Sequence, residues 1–229
     1  MARVSGTGEA VYRGWMLAAD RYRAFAAALA ARGVVLRTSP AQYRQAHELP
    51  GWYGALAEVT PRSVWTVGAE RSAFEEASAR LGGGPAVLRD YTKSMKHYWD
   101  EAMYIPDTAD RDIAWAVAAR FRELREDDFA GGFVLRRYEE LTGPEVRTWW
   151  VAGECRFVGP HPDAPDTAAP SDVDLSGVVP AVAALGLPFV TVDLARRSDG
   201  AWRVVELGDG QVSDRPPALS AGALVAAVR

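Results

Sequence analysis

FVTVDLARRSDGAWRVVELGD, residues 189–209, is the stretch on which the fold turns. Residues 189–195 and 201–207 read as two strands. The connection ends in Asp199-Gly200, a strong signal for a two-residue hairpin turn. With that turn, paired residue numbers sum to 399, and Asp193 stands directly opposite Glu206. Opposed residues share a face, with Cβ atoms about 5 Å apart, so two carboxylates there repel. The flanking Val192, Leu194, Val205 and Leu207 mark the hairpin as buried. A divalent cation resolves the conflict, and oxygen-only ligands favour Mg²⁺ beside phosphate oxygens. Two other readings fit the same residues. Both acids can lie on a solvent face, or each can pair with an arginine such as Arg196. A one-residue slip in register also undoes the pairing.

Upstream, residues 86–90 form a strand ending near Arg89, followed by a polar loop over 91–100. That loop holds both lysines of the chain, Lys93 and Lys96, with His97 beside them, whereas arginine occurs 24 times and asparagine never. Against such a bias, two lysines this close read as functional. Lysine serves as a flexible point charge over nucleotide phosphates. The plainer alternative is a solvated basic loop. No Gly-x4-Gly-Lys-Ser/Thr run is present, and no Gly-x-Gly-x-x-Gly. After a strand over 133–137, Gly143-Pro144-Glu145-Val146-Arg147 places Glu145 and Arg147 two apart, on one strand face. The carboxylate suits ribose hydroxyls and the guanidinium a carboxylate or phosphate. A simple ion pair between them is the bland alternative.

The remaining elements read as α+β. Helices are expected over 17–32, 70–81, 110–125, 175–185 and 217–228. A strand is expected at 34–37, and a hairpin over 145–158 turns about Gly153. Residues 1–9 read as a polar tail and 40–61 as an irregular, aromatic-rich segment. The glycine run 82–84 divides a reduced amino-terminal region (1–82) from a main domain (83–229), with parts at about 85–137 and 144–229. The 229 residues are 48% hydrophobic and 24% charged, with net charge −4, which argues against intrinsic disorder and a nucleic-acid surface. The single cysteine, Cys155, excludes an internal disulfide and suits a reducing cytoplasm. No apolar stretch reaches membrane-spanning length. His47 reads as structural, and nothing nearby marks Cys155 as reactive.

The order of these pieces resembles the ATP-grasp superfamily from about residue 85 to 216. It is similar in arrangement to D-alanine–D-alanine ligase. Four further runs resemble a branch of ATP-grasp domain-containing proteins: YRGWM (12–16), AHELPGWY (46–53), KSMKH (93–97) and ELGDGQVS (206–213). The resemblance implies two α+β subdomains that clamp ATP, with a short amino-terminal α/β region. It implies that Arg89 meets the inner phosphates, and that Lys96 with Lys93 meets the outer ones. Main chain around Arg137, Tyr138 and Glu139 would hold adenine, Glu145 ribose, and Asp193 with Glu206 Mg²⁺. Gly208 stands where the family carries a metal-binding Asn, so Asp209 is the candidate for the missing oxygen. Thr191 stands where a basic residue is common, so Arg147 is the candidate to stabilise the reacting phosphate. The implied activity is an ATP- and Mg²⁺-dependent carboxylate–amine ligase working through an acyl-phosphate. The alternatives are a phosphotransferase and a non-catalytic nucleotide-binding module. Its partners would be small-molecule or peptide carboxylates and amines. The short amino-terminal region leaves room for a homodimer or partner chain to complete the acceptor site.

Overall fold

The computed structural model describes residues 6–215 and 219–228. The chain divides into two compact units, Met1–His47 with Leu141–Arg229, and Glu48–Glu140.

The first unit opens on β1 (Gly8–Ala10), α1 (Ala19–Ala30), β2 (Val34–Leu36) and α2 (Pro40–His47). β1 pairs in parallel with β2, so residues 8–10 belong to a sheet rather than a tail. Residues 1–5 lie outside the described residues. α1 buries Tyr22 and Leu29 against Val34, Leu36 and Tyr43, and Gly33 leaves the helix at φ +80°. The segment 40–61 is not irregular: it folds as α2 and, in the second unit, α3 (Leu49–Leu56). Pro40 and Pro50 look like helix breakers. Each sits in a first turn, where proline costs no hydrogen bond.

The second unit continues with β3 (Ser63–Trp65), α4 (Arg71–Leu81), β4 (Ala86–Asp90), β5 (Tyr104–Ile105), α5 (Arg111–Arg125) and β6 (Phe133–Arg137). Its sheet is antiparallel, in the order β3-β6-β4-β5. Ala86 and Leu88 of β4 and Phe133 and Leu135 of β6 face one core with Phe74, Val117 and Phe121 of the helices. Asp110 caps α5 by accepting the Ile113 N–H. The glycine run 82–84 lies inside this unit, between α4 and β4.

The first unit resumes with β7 (Leu141–Val151), β8 (Glu154–Pro160), α6 (Val178–Ala184), β9 (Phe189–Arg197), β10 (Trp202–Asp209) and α7 (Ala221–Ala227). The closing helix is thus shorter than expected, and residues 216–218 of that expectation fall outside the described residues. The four strands form one antiparallel sheet, β10-β9-β7-β8.

Two turns set its register. The β9–β10 connection is not the two-residue Asp-Gly turn. Arg197 N–H bonds Ala201 O across a three-residue loop in which Gly200 takes φ +93°, a standard three-residue hairpin. Pairs near the loop therefore sum to 398 (Arg196 with Trp202). A bulge between Val204 and Glu206 then adds one residue, and the sum becomes 399 (Asp193 with Glu206). The expected pair forms because the longer loop and the bulge offset each other. The β7–β8 turn is Ala152-Gly153, with φ +49° and +82°. Two positive φ values are the mark of a type I′ turn, for which Asn-Gly is the preferred pair. Alanine carries a Cβ cost there that asparagine tolerates better. We therefore expect Ala152→Asn to raise stability by about 0.5–1 kcal/mol. Urea unfolding measures this, and a lower midpoint contradicts the turn assignment.

Candidate active site

The sheet of the first unit lines up three charged side chains. Arg147 on β7 pairs with Asp193 on β9, which pairs with Glu206 on β10. Directly paired residues share a face, so the three form one row across neighbouring strands. Asp193 is 4% exposed. Arg147 grips it with two parallel bonds, Nε to Oδ1 at 2.7 Å and a terminal nitrogen to Oδ2 at 2.8 Å. The repulsion between the two acids is thus met in this structure by Arg147. Arg196 does not serve either of them: it pairs with Asp172 and lies over the Trp202 ring, 5.0 Å from its centroid.

His161 completes the row. It follows β8, and its N–H bonds Glu145 O at 3.2 Å. Its Nδ1 accepts the Asp163 N–H at 3.2 Å, which leaves Nε2 to carry the proton. Nε2 lies 3.4 Å from Asp193 Oδ2 and 3.2 Å from Arg147. Burial pushes the Asp193 carboxyl up, but its bonds to Arg147 and His161 outweigh burial and hold it below the usual range. Burial likewise opposes the charge on Arg147, and its bonds to Asp193 raise it instead. The bond to Asp193 raises His161 against the opposing effect of burial. Glu145 is exposed, with a carboxylate oxygen 3.8 Å from His161.

Asp209 is not brought to this row. From Glu206 onward the pairing is regular, so Glu206 and Gly208 share a face and Asp209 takes the other. Asp209 is buried, and Oδ1 accepts the Gln211 N–H at 2.7 Å. Gln211 in turn donates to Tyr22 and accepts from Tyr12 N–H. Asp209 Oδ2 has no hydrogen-bond partner among the described residues. Burial pushes its carboxyl up to about 7, despite bonds from Gln211 that lower it. Beside the acid pair, Thr191 and Ser213 join hydroxyls at 2.7 Å near Gly208.

The donor chemistry of the row fits Mg²⁺ as it is bound beside phosphates. Asp193 and Glu206 offer two carboxylates in register, and such an ion takes one or two carboxylates plus phosphate and water. An all-protein cage does not fit: no group of three or more acidic, His or Cys side chains that could hold a metal occurs among the described residues.

In the second unit, Asp90 organises the lysine loop. Its fully buried carboxylate accepts the N–H groups of Thr92 and Lys93, each at 2.7 Å, and Arg125 Nε at 2.9 Å. Lys93, Lys96 and His97 project to solvent. Lys96 begins a 3₁₀ turn that runs into a five-residue π-helix, Trp99–Met103. Arg89 is buried and folds back on this loop, donating to Thr92 O at 2.9 Å. The Arg137 side chain is spent on the carbonyls of Leu81, Gly82 and Gly83, where it closes α4. Tyr138 N–H bonds Pro85 O, and its ring meets Trp99 and Tyr104 edge-on.

His161, Asp90 and Arg125 are site or support residues that sequence reading missed. For His161 a signal existed. Pairs of β7 with β8 sum to 306 up to Val146–Pro160. One more step sets His161 beside Glu145, on the face of Arg147.

This α+β architecture is the ATP-grasp fold. A family model for an ATP-grasp domain, family 3 of its clade, matches residues 80–228, and the chain belongs to that family. Among solved structures it is similar to D-cycloserine synthetase DcsG (20% identity, 96% of this chain and 84% of that chain, TM-score 0.64). It is also similar to a RimK domain protein ATP-grasp from Sphaerobacter thermophilus DSM 20745 (19%, 90% and 74%, 0.59). A third is the ATP-grasp ligase PsnB, solved with a minimal precursor, Mg and ADP (17%, 91% and 66%, 0.52). No curated protein matches the chain. Among the described residues no helix is long and apolar enough to cross a membrane.

The His161 bonds carry a pH signature. A folded value raised above the ordinary 6.5 contributes stability that is complete below 6.5 and lost as pH rises through the folded value. His161→Gln should therefore destabilise more at pH 6 than at pH 9. By NMR the His161 ring should titrate above 6.5 in the wild type and lower in Asp193→Asn. An unchanged titration in that variant contradicts the contact.

Proposed function

We propose that the chain is an ATP- and Mg²⁺-dependent carboxylate–amine ligase. The observation that carries this reading is the in-register row Arg147–Asp193–Glu206 in a member of the ATP-grasp family. The complex of PsnB with Mg and ADP supports the choice of cofactors.

In this reading a substrate carboxylate oxygen attacks the γ-phosphorus of ATP. The bond from that phosphorus to the β–γ bridging oxygen breaks, and ADP leaves with the electron pair. The acyl-phosphate then meets an amine. Nitrogen bonds the acyl carbon, phosphate departs, and the amine proton passes to solvent. Mg²⁺ bound by Asp193 and Glu206 supplies charge neutralisation to the phosphates. The chain's own side chains do the rest by position and charge. Arg147 directs its fork at the face of the acid pair, and its remaining terminal nitrogen is assigned to the transferring phosphoryl group. Lys93 and Lys96 serve the outer phosphates as point charges, on a loop pinned by Asp90. Arg89 serves the inner phosphates, main chain over 137–139 adenine, and Glu145 ribose. The loop from Tyr91 onward acts as a lid that excludes water from the acyl-phosphate.

ADP release should require a carboxylate and an amine together, with an amide as product. A phosphorylated acceptor without amide would instead mark a phosphotransferase, and no turnover with any acceptor a binding module. Glu206→Gln should lower kcat by about 100-fold or more in a protein with wild-type circular dichroism. Lys96→Arg should lose at least about tenfold despite equal charge, because the fixed guanidinium fork cannot follow a moving phosphoryl as a point charge does. Wild-type turnover in either variant contradicts the assignment.

A further inference from the structure

Phe189, Thr191 and Asp193 alternate along β9 and so face the same side of the sheet. At the Phe189 end lies a cavity of about 490 Å³, within the size range of small-molecule sites. Phe189 and the α7 side Leu224, Val225 and Val228 give it apolar walls. Its charged lining is cationic in balance, with Arg13, Arg37 and Arg215 against the single Glu9. Glu9 is already paired with Arg37.

Arg13 differs from the other two. It forms no ion pair among the described residues, and Asp214 and Asp209 act on it only at longer range. It donates to the carbonyl oxygens of Gly210 and Ser213, which fixes the guanidinium in place. Its central carbon sits over the Trp149 ring, 5.8 Å from the centroid. Trp149 pairs with Thr191, the next same-face pair after Arg147 with Asp193. That step is two residues along a strand, about 7 Å. An anion on Arg13 is therefore presented one repeat from the charged row, with apolar walls behind it. A hydrophilic nucleotide or sugar gains nothing from those walls, and an amine is repelled by the guanidinium.

We propose that this cavity is the acyl-donor pocket. It takes a monocarboxylate whose short hydrocarbon chain fills the space between Phe189 and α7 and whose carboxylate pairs with Arg13. The donor role rests on the ligase reading, whereas the binding itself does not.

Calorimetric titration with 4-methylpentanoate, its neutral amide and acetate tests this. The wild type should bind 4-methylpentanoate at least about tenfold more tightly than either control. Arg13→Gln should erase the advantage over the amide, and Arg13→Lys should keep part of it. Leu224→Trp, which fills the cavity, should erase the advantage over acetate. Asp193→Asn should change none of these affinities. Equal binding of acid and amide by the wild type overturns the pocket, and so does no binding of the acid at all. Binding that is lost in Asp193→Asn yet kept in Leu224→Trp overturns it too. The two readings fail separately. Binding with the expected dependences but no ADP release with Mg·ATP and amines keeps the pocket and contradicts the ligase. ADP release from carboxylates that is indifferent to Arg13 and Leu224 keeps the ligase and overturns the pocket.

Discussion

The bidentate grip of Arg147 on Asp193 is the constraint around which the first unit is arranged. A carboxylate that is 4% exposed cannot stay charged without partners. The row supplies them from three strands and the residue after a fourth. β7 brings Arg147, β8 leads to His161, β9 carries the acid, and β10 sets Glu206 beside it. Each contribution depends on register, because a one-residue slip sends a side chain to the other face. The bulge at Val205 and the Ala152-Gly153 turn are therefore conditions for the row. The grip also orders the chemistry: the same two oxygens that bind Arg147 are those a cation would use, so ligand and guanidinium compete for Asp193.

In the second unit, Asp90 plays the comparable role. A buried carboxylate fixes the backbone at Thr92 and Lys93 and recruits Arg125 from α5. The lysines themselves reach outward. Rigid anchoring below and flexible charge above suit a loop that must close over phosphates.

Much of this was legible in the residues. The strands over 86–90 and 133–137 have the bounds that alternation and flanking glycines predict. The opposition of Asp193 and Glu206 was legible too, although the turn arithmetic behind it was not: hairpin loops of two and three residues share an Asp-Gly ending, and a bulge leaves little mark in a run such as Val204-Val205. Helices α2 and α3 were hidden by prolines that read as breakers and act as first-turn residues. Asp209 looked like a third oxygen because it is near Glu206 in sequence, but strand alternation carries it to the opposite face. Arg137 lies in the hinge run, yet its side chain closes α4. Such roles depend on which carbonyls happen to lack partners, and a linear pattern does not carry that information.

The central claim is that Asp193 and Glu206 share a divalent cation with a nucleotide. Mn²⁺ in place of Mg²⁺ reports this directly, since free and bound ion are resolved by electron paramagnetic resonance. With ADP present, the wild type should bind Mn²⁺, and Asp193→Asn and Glu206→Gln should each weaken it by at least about tenfold. Equal Mn²⁺ affinity in the wild type and both folded variants would contradict the account.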